Sequence, residues 1–288
     1  MHTEPVDPEL LLGEGLEKRA AAERVAYYRR RLDRSRVQVA RLLDLGCGNG
    51  YALSAWSSPG TAVVGVDNSP YRFGRWIAER SRHAGYLVMA DAERLPFRDG
   101  VFTCVVSSGM IEHVGVDESR PPYQVLPRPD RDEKREVVLG EMIRTTEEHG
   151  ILFLDFPNGA FPIDFWHGDR VGSFRRHPTP DSLLPTYDDI VSWTRNKATV
   201  RLLPLANRLQ YRQVSRWWWG RLLRIPMIAF IQTLDALRWI VPNTFIARFY
   251  PFLVLAAAPS PPAHDGHLLP VPPGSVLCRA CDSADEYV

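Results

Sequence analysis

The stretch RLLDLGCGNG, residues 41–50, places a short apolar run directly before three closely spaced glycines. A short apolar run that ends in glycines is typical of a buried strand followed by a tight turn. Because glycine costs roughly 0.5–1 kcal/mol relative to alanine in regular structure, such a cluster indicates a tight turn or a backbone that approaches a ligand. The stretch therefore predicts a first buried strand and a ligand-binding turn.

The regions on both sides of this stretch alternate between predicted helices and strands. A helix rich in Glu, Ala and Arg over 14–34 leads into it. Further strands are predicted at 62–67, 86–91, 101–108 and 151–157, with helices at 70–85 and 132–150 between them. Strands that alternate with helices indicate βαβ units and a parallel sheet covered on both faces. The predicted fold class is therefore α/β.

The chain after residue 158 is less regular. Residues 157–185 form a long insertion rich in proline, glycine and aromatic residues, which indicates a functional segment rather than disorder. A sixth strand is expected within 197–206, a helix over 215–241 and a late strand over 248–259. We expect one domain with four parts: a helical lead-in at 1–35, a ligand-binding core at 36–158, an acceptor-side region at 159–258 and a flexible Pro-rich tail at 259–288.

The composition limits the function classes. Of the 288 residues, 35 are Lys or Arg and 34 are Asp or Glu, so the formal net charge is +1. That balance argues against a nucleic-acid-binding protein. The four cysteines, Cys47, Cys104, Cys278 and Cys281, are too few and too scattered for a disulfide framework, which favours a reducing, cytoplasmic compartment. The opening residues MHTEPVDPEL carry no secretory signal pattern.

The spacing of the glycines narrows the choice of ligand. The pattern is Asp44-x-Gly46-x-Gly48-x-Gly50, whereas the dinucleotide fingerprint is G-x-G-x-x-G. A carboxylate two residues before the first glycine can hold water or an ammonium group, but it would repel a pyrophosphate. The turn therefore favours a ligand with a cationic group over a dinucleotide.

Acidic residues also end the next two predicted strands. Asp67 ends the strand at 62–67, where an acid can accept hydrogen bonds from both hydroxyls of a ribose. Asp91 ends the strand at 86–91, and its carboxylate together with the Ala92 amide would suit the edge of an adenine. All these groups lie at the carboxyl ends of parallel strands, which is where open α/β sheets bind ligands.

Four motifs together resemble the class I S-adenosylmethionine-dependent methyltransferases, and most closely their type 11 small-molecule branch, which includes ubiquinone-biosynthesis enzymes. The motifs are DLGCGNG, GVDNS, DAERLPF and VVSSGMIEHV, and the resemblance covers roughly residues 36–158 and the late strand near 250. It implies a doubly wound, seven-stranded, mostly parallel Rossmann-like sheet whose last strand is antiparallel, followed by a C-terminal helical elaboration. It departs from the family at His149-Gly150, where two glycines are frequent, and we expect one residue there with a positive φ.

The resemblance also implies the cofactor, S-adenosyl-L-methionine, and the residues that bind it. Three parts of the cofactor and the wall beside it are assigned as follows: Asp44, Gly46, Cys47 and Gly48 around the methionine moiety, Asp67 and Asn68 at the ribose, Asp91 and Ala92 at the adenine, and Ser107 between cofactor and acceptor. The implied reaction moves a methyl group to an oxygen, nitrogen or carbon atom of a small or lipid-linked acceptor.

Methyl transfer from a sulfonium needs little acid–base chemistry, because the leaving group is already activated and alignment supplies most of the acceleration. A hydroxyl acceptor would benefit from a general base. The candidates are His113 first, then Glu112, Asp164 and His167. In this family the Glu-His pair often has a structural role, which stays open for Glu112 and His113. Glu112, His113, His167 and His177 carry groups that can bind a metal ion, but their spacing matches no recognised ligand pattern, so no metal site is expected.

The segment 215–241 mixes tryptophans and arginines with a broad apolar stripe, which is interrupted by charges and proline and is not expected to span a membrane. Two interpretations are open: a core or dimer helix, or an interfacial helix that dips into lipid. The segment PNGAFPIDFWHGDR weakly resembles methyltransferases of lipid and cell-surface glycan pathways. Together these features suggest an acceptor that is lipid-linked or otherwise hydrophobic. A cytoplasmic location is expected, with attachment to the inner face of the membrane if the helix is interfacial, and no nucleic-acid partner is expected.

Three other functions stay open on the sequence alone. A non-catalytic relative would bind the cofactor or a protein partner without turnover. An RNA methyltransferase is disfavoured by the balanced charge. A nicotinamide-dependent dehydrogenase is disfavoured by the glycine spacing.

Overall fold

The computed structural model describes residues 8–35, 37–78, 85–119, 124–167, 174–205 and 218–260. The helices are α1 (Pro8–Arg34), α2 (Tyr51–Trp56), α3 (Pro70–Ala78), α4 (Arg131–Thr145), α5 (Tyr187–Trp193), α6 (Trp218–Leu237) and α7 (Asn243–Ile246), with 3-10 turns at Ile111–His113 and Ala247–Phe249. The strands are β1 (Arg41–Leu45), β2 (Ala62–Asp67), β3 (Tyr86–Met89), β4 (Phe102–Ser108), β5 (Val116–Ser119), β6 (Gln124–Pro127), β7 (Thr146–Pro157), β8 (Ile163–Asp164), β9 (Arg175–Arg176), β10 (Ala198–Leu202) and β11 (Phe252–Pro259).

The main sheet has seven strands in the order β10-β11-β7-β4-β1-β2-β3. β1 lies between β2 and β4 and runs parallel to both, and β11 runs antiparallel to both β7 and β10. The predicted doubly wound, mostly parallel sheet with an antiparallel last strand is confirmed. Because the strand order reverses between β1 and β4, a crevice forms at the carboxyl ends of these two strands.

Apolar runs in the central strands form the core. Leu42, Leu43 and Leu45 of β1 are fully buried, as are Val105 and Val106 of β4. A strand buried on both faces carries apolar residues on both, which explains why these runs are nearly continuous rather than alternating, with the buried Asp44 of β1 as the exception. The sequence pattern of parallel strands therefore reports this burial directly.

The first helix is part of the domain rather than a detached leader. Tyr28 of α1 is fully buried, and its ring stacks on Phe153 of β7 with 4.4 Å between the centroids. The Tyr28 hydroxyl donates a hydrogen bond to the Asp155 carboxylate. This arrangement holds α1 at the carboxyl edge of the sheet, where β7 ends.

The predicted helix at 132–150 is too long: α4 ends at Thr145, and β7 begins at Thr146. The Thr145 and Thr146 hydroxyls donate to the carbonyls of Glu141 and Met142 at 2.8 and 2.7 Å, and such back-bonding by β-branched residues disfavours further helix. Gly150 lies in β7, and it is not among the glycines with positive φ, so the expected turn at His149-Gly150 is wrong. A Cβ on Gly150 would lie 2.6 Å from Thr146 Cγ2, which accounts for glycine there.

The second half of helix α6 packs against the domain. Ile231 and Leu234 in its second half are buried, and Asp235 accepts hydrogen bonds from the Leu205 amide and the Tyr250 hydroxyl, both at 2.8 Å. Side chains 221–226 in its first half are all exposed. None of the described helices combines the length and the apolar character needed to cross a membrane. Cys278, Cys281 and the tail from 261 onward lie outside the described residues.

Candidate active site

A cleft of about 1190 Å³ opens at the carboxyl edge of the sheet. Residues at or directly after the ends of β1, β2, β3 and β4 all contribute to it, together with α1 and the β8 region. The residues that line it are Glu17, Ala20, Leu45, Gly46, Val66, Asp67, Asn68, Ser69, Arg72, Ala90, Asp91, Ala92, Glu93, Gly109, Met110, His113, Val114, Gly115, Val116, Arg128, Lys134, Val138, Trp166 and His167. The four sequence motifs therefore meet around one space.

The glycine-rich turn lies against the end of β2. The amides of Gly46 and Cys47 both donate to the Val66 carbonyl, at 2.8 and 3.1 Å, which directs the turn back over the sheet. Gly46 has a φ of 75°, and a Cβ there would lie 2.5 Å from Met110 Cγ. Both the backbone conformation and the Met110 contact therefore require glycine at position 46.

Asp44 carries a buried carboxylate directly before this turn. Its side chain is 2% exposed, and Oδ2 has no hydrogen-bond partner among the described residues. Burial raises the pKa of Asp44 to about 6, Arg24 lowers it, and the nearby carboxylates of Asp155 and Asp67 raise it further. A buried oxygen of this kind can accept a hydrogen bond from a cationic donor group.

Asp67 joins the first two motifs. Its Oδ2 accepts hydrogen bonds from the Gly48 amide at 2.9 Å and from Arg72 at 3.3 Å, and its Oδ1 accepts from the Ser69 amide at 2.9 Å. Each carboxylate oxygen can accept two hydrogen bonds, so Oδ1 retains acceptor capacity toward the cleft. Arg72 is half-exposed and can move aside at little cost.

The third motif brings a second acid and a backbone turn to the cleft. Asp91 is exposed at the cleft wall, and its Oδ1 accepts a hydrogen bond from the Glu93 amide at 3.0 Å. Ala92 and Asn68 line the same wall. Two of the predicted adenine contacts and one predicted ribose contact therefore lie around one region of the cleft.

Four predicted cofactor residues, Asp44, Cys47, Gly48 and Ser107, do not line the cleft. The Cys47 thiol packs over Gly65, where a Cβ would lie 2.7 Å from its sulfur, and burial raises the pKa of this thiol well above its ordinary value. Ser107 is fully buried in β4, and its hydroxyl has no hydrogen-bond partner among the described residues. Ser107 lies within the sheet and Cys47 in the turn that follows β1.

The fourth motif forms the 3-10 turn Ile111–His113 at the acceptor side of the cleft. His113 lines the cleft, and Glu112 points inward with 1% of its surface exposed. Burial raises the pKa of Glu112, and His113 and His167 oppose this effect. The two predicted catalytic residues therefore differ in environment, since one faces solvent and the other is enclosed.

A buried arginine holds this turn in place. Arg135 of α4 donates hydrogen bonds to the carbonyls of Glu112 and Leu183, both at 2.7 Å, and to that of Val114 at 3.1 Å. Burial lowers the pKa of Arg135 to about 10. The turn and the 183 region are thus joined through one side chain.

The insertion contributes His167 to the acceptor side. Its Nδ1 lies 2.8 Å from Asp164 Oδ2, and the two side chains are almost fully buried. Burial acts to raise the pKa of Asp164, but the hydrogen bond with His167 holds it below its ordinary value. The His113 and His167 rings pack edge to face with 5.1 Å between centroids, so two candidate bases named from the sequence are neighbours.

Sequence reasoning missed several wall residues. Glu17 and Ala20 of α1, Arg72 of α3, and Met110 and Trp166 all line the cleft. Arg72 follows Asp67 by five residues, which puts it on the first turns of the helix after β2, and that spacing is a signal that was available. The contribution of α1 had no local signal, because it depends on how α1 packs across the sheet edge.

Comparison with known proteins gives concordant results. A family model described as a methyltransferase domain matches residues 43–154. The chain is 37% identical over 203 residues to an uncharacterized methyltransferase of Mycolicibacterium vanbaalenii, which covers 64% of this chain and 69% of that relative. It is 31% identical over 150 residues to an uncharacterized methyltransferase of Mycobacterium tuberculosis, with 48% and 52% covered. A solved structure of magnesium protoporphyrin IX methyltransferase from Synechocystis has a TM-score of 0.47 at 13% identity, over 90% of this chain and 87% of that one.

The methyltransferase-domain match covers most of the residues that line the cleft. The matched domain begins in β1 and ends in β7, so it contains the glycine-rich turn and the ends of the strands that frame the cleft. The M. vanbaalenii relative is matched over more than two thirds of its length, well beyond that domain. On the sheet order, the cleft and these relatives, the chain belongs to the class I S-adenosylmethionine-dependent methyltransferases.

Proposed function

We propose that this chain binds S-adenosylmethionine in the cleft and transfers its methyl group to a hydrophobic small or lipid-linked acceptor. The observation that carries the proposal is the convergence on a single cleft of residues that end β1 and β2 and of residues that directly follow β3 and β4. In an open parallel sheet this edge is where a nucleotide-like ligand binds.

The proposed orientation of the cofactor follows from the chemistry of each wall residue. Asp44 and the turn at Gly46 and Gly48 would receive the amino-acid end, because a buried carboxylate favours an ammonium group. Asp67, with Asn68 beside it, would accept hydrogen bonds from the ribose hydroxyls. Asp91 and Ala92 would receive the adenine edge.

The reaction would be an in-line displacement. The acceptor atom would attack the methyl carbon, the carbon–sulfur bond would break, and its electron pair would stay on sulfur as a neutral thioether. The proton of a hydroxyl or amine acceptor would pass to a base, for which His113 is the first candidate, or to water. Holding the acceptor atom and the methyl group in line can lower the activation free energy by about 7 kcal/mol or more when the reactants are well oriented. The wall of the cleft would therefore accelerate the reaction mainly by aligning the acceptor atom with the methyl group.

The acceptor side of the cleft favours an apolar molecule. Met110, Val114, Val116, Val138 and Trp166 line it. Small-molecule sites are commonly lined by such side chains, with a few polar groups that fix orientation. Polar and charged side chains lie among them, namely His113, His167, Arg128 and Lys134.

Exposed residues on α6 support a membrane-surface contact as the route by which a lipid-linked acceptor arrives. Leu222 and Ile225 are 67% and 77% exposed, and Arg221 and Arg224 lie beside them on the same helix. Apolar side chains flanked by arginines are the composition of helices that lie in a lipid interface.

The first test is a calorimetric titration with S-adenosylhomocysteine. We expect the wild-type protein to bind it at micromolar affinity and Asp67→Ala to bind it more weakly by about 1.5–3 kcal/mol, the range for hydrogen bonds to a charged group. Asp188→Ala is the matched control, because Asp188 lies on α5, away from the cleft, and pairs with Arg248 at the surface.

The titration separates the proposal from its rivals. Binding that is unchanged in Asp67→Ala would refute the ribose assignment. Binding without methyl transfer to any lipid or glycan extract would favour a non-catalytic relative.

A further inference from the structure

We propose that Glu112, His113 and His167 form a binding site for a divalent first-row transition-metal ion at the acceptor end of the cleft. One ligand atom from each of these residues lies within 4.8 Å of the others. Glu112 and His113 come from the turn after β4, and His167 comes from the insertion 157–185, so the fold joins residues that the sequence separates by more than 50 positions. This departs from the expectation that the chain has no metal site.

The three groups match a known type of donor set. Two imidazoles and one carboxylate are the ligands of catalytic zinc sites and of non-haem iron sites, which keep further positions open for substrate. Metal–ligand bonds of about 2.1 Å at tetrahedral angles separate ligand atoms by about 3.4 Å. Side-chain rotations that bring the three groups together by about 1.4 Å or less would therefore suffice to bind an ion.

Glu112 gives an independent indication that a ligand belongs here. Its side chain is 1% exposed, and Oε2 has no hydrogen-bond partner among the described residues. A buried carboxylate oxygen without a partner costs stability, so its retention needs an explanation. A bound cation between Glu112 and the two histidines would supply that partner.

The environment of His167 supports the same assignment. Asp164 lies 2.8 Å from Nδ1 and also accepts hydrogen bonds from the Trp166 and His167 amides. A carboxylate that takes Nδ1–H sets the tautomer in which Nε2 carries the lone pair. Metal-binding histidines nearly always have such a carboxylate or carbonyl behind them, and here Asp164 fixes the ring orientation as well.

An ion bound at this site could contact an acceptor molecule in the cleft. His113 and His167 both line the cleft, and His113 is exposed to it. A hydroxyl acceptor bound to the ion through oxygen would lose its proton to water more readily, because the cation lowers the pKa of the bound group. The resulting alkoxide or phenolate oxygen then forms the bond to the methyl carbon as the carbon–sulfur bond breaks. This role rests on the proposed methyl transfer and narrows the acceptor to hydroxyl compounds.

The test is a Co²⁺ titration of the EDTA-dialysed full-length protein, followed by absorption spectroscopy and repeated by calorimetry with Zn²⁺. The protein carries Cys278→Ser and Cys281→Ser in every sample, so that tail thiolates do not bind the ion. We expect one ion per chain and cobalt bands without thiolate charge transfer. Glu112→Gln and His167→Asn should each weaken binding more than about 100-fold, and Asp164→Asn by about 10- to 100-fold.

The controls keep the outcomes distinct. His149→Asn changes an exposed histidine on β7 and should leave metal affinity unchanged. S-adenosylhomocysteine affinity is measured on the wild-type protein and on His149→Asn as well, so failure of the cofactor proposal and failure of the metal proposal are read separately. Absence of metal binding in folded protein, or binding that survives Glu112→Gln and His167→Asn, overturns the inference.

Discussion

The carboxylate of Asp44 is buried, where an ionised group is poorly solvated. Its pKa of about 6 comes mainly from burial and is raised further by Asp155 and Asp67, so near neutral pH the folded protein holds a carboxylate that water would solvate better. A residue that opposes folding in this way is expected where function requires it. The cost is consistent with a site prepared for a cationic group.

Replacing Asp44 by Asn tests its effect on the free energy of unfolding separately from its role in cofactor binding. The folded-state pKa is raised from 3.8 to about 6, so the stability that this residue contributes is full below the lower value and is lost as pH rises through the upper one. We expect Asp44→Asn to be more stable than the wild type by up to roughly 3 kcal/mol at about pH 8, with the difference shrinking toward about pH 4. Urea unfolding at both pH values measures this.

The same variant should lose the cofactor. Wild-type affinity for S-adenosylhomocysteine should fall as pH drops below about 6, since the ammonium group needs the ionised carboxylate. Asp44→Asn should bind weakly at every pH. A variant that binds normally, or that is no more stable at about pH 8, would contradict the role assigned to Asp44.

At the scale of elements, Arg135 ties α4 to the turn after β4. Its guanidinium satisfies the carbonyls of Glu112, Val114 and Leu183 at once, in a place where water has little access. The ring of Trp193 on α5 lies 5.9 Å from the guanidinium carbon, so the same side chain also contacts a second helix. The position of the acceptor wall therefore depends on one residue outside the cleft.

Arg135→Met should destabilise the protein by about 2–4 kcal/mol, because it leaves buried carbonyls without donors. Methionine keeps most of the buried chain, so the loss reports hydrogen bonding rather than a large cavity. Chemical denaturation measures the change, and Arg98→Met, at an exposed position, is the control. Equal stability of the two variants would show that the carbonyls find other partners.

Element boundaries show where sequence patterns stop being informative. β1, β2 and β4 were predicted within one or two residues, because continuous apolar runs report burial between two layers of helix. The end of α4 was misplaced since Thr145 and Thr146 suit both helix and strand locally, and pairing with β4 decides between them. The sheet order could be inferred only through the family resemblance.

At the scale of the whole molecule, the candidate site was predicted in part. Asp44, Gly46, Asp67 and Asp91 could be placed at one edge because parallel strands bring their carboxyl ends together. The approach of His167 to Glu112 and the packing of Glu17 beside the glycine-rich turn could not, since they depend on a long insertion and on a helix that crosses the sheet edge. Local patterns carry no information about such contacts.

The exposed half of α6 gives a prediction for the molecule as a whole. We expect the protein to sediment with anionic phosphatidylglycerol vesicles and to sediment less with zwitterionic ones. Binding should also weaken as the salt concentration rises, because salt screens the attraction between the arginines of α6 and the anionic lipids. Ile225→Glu should reduce binding strongly, since insertion of this side chain is worth about 1.5–3 kcal/mol. Gln232→Glu is the control on the same helix with the same charge change, and sedimentation lost equally in both variants would indicate charge alone.

The acidic floor beneath the glycine-rich turn also bears on how turnover ends. The proposed donor carries a sulfonium cation, and the product left after transfer is a neutral thioether. Asp44, Asp67 and Asp155 together create a negative potential, which favours the cation and is indifferent to the thioether. Methyl transfer would therefore remove the positive charge that these carboxylates attract and would lower the affinity for the bound product. The same three carboxylates would favour binding of a new donor molecule in place of that product.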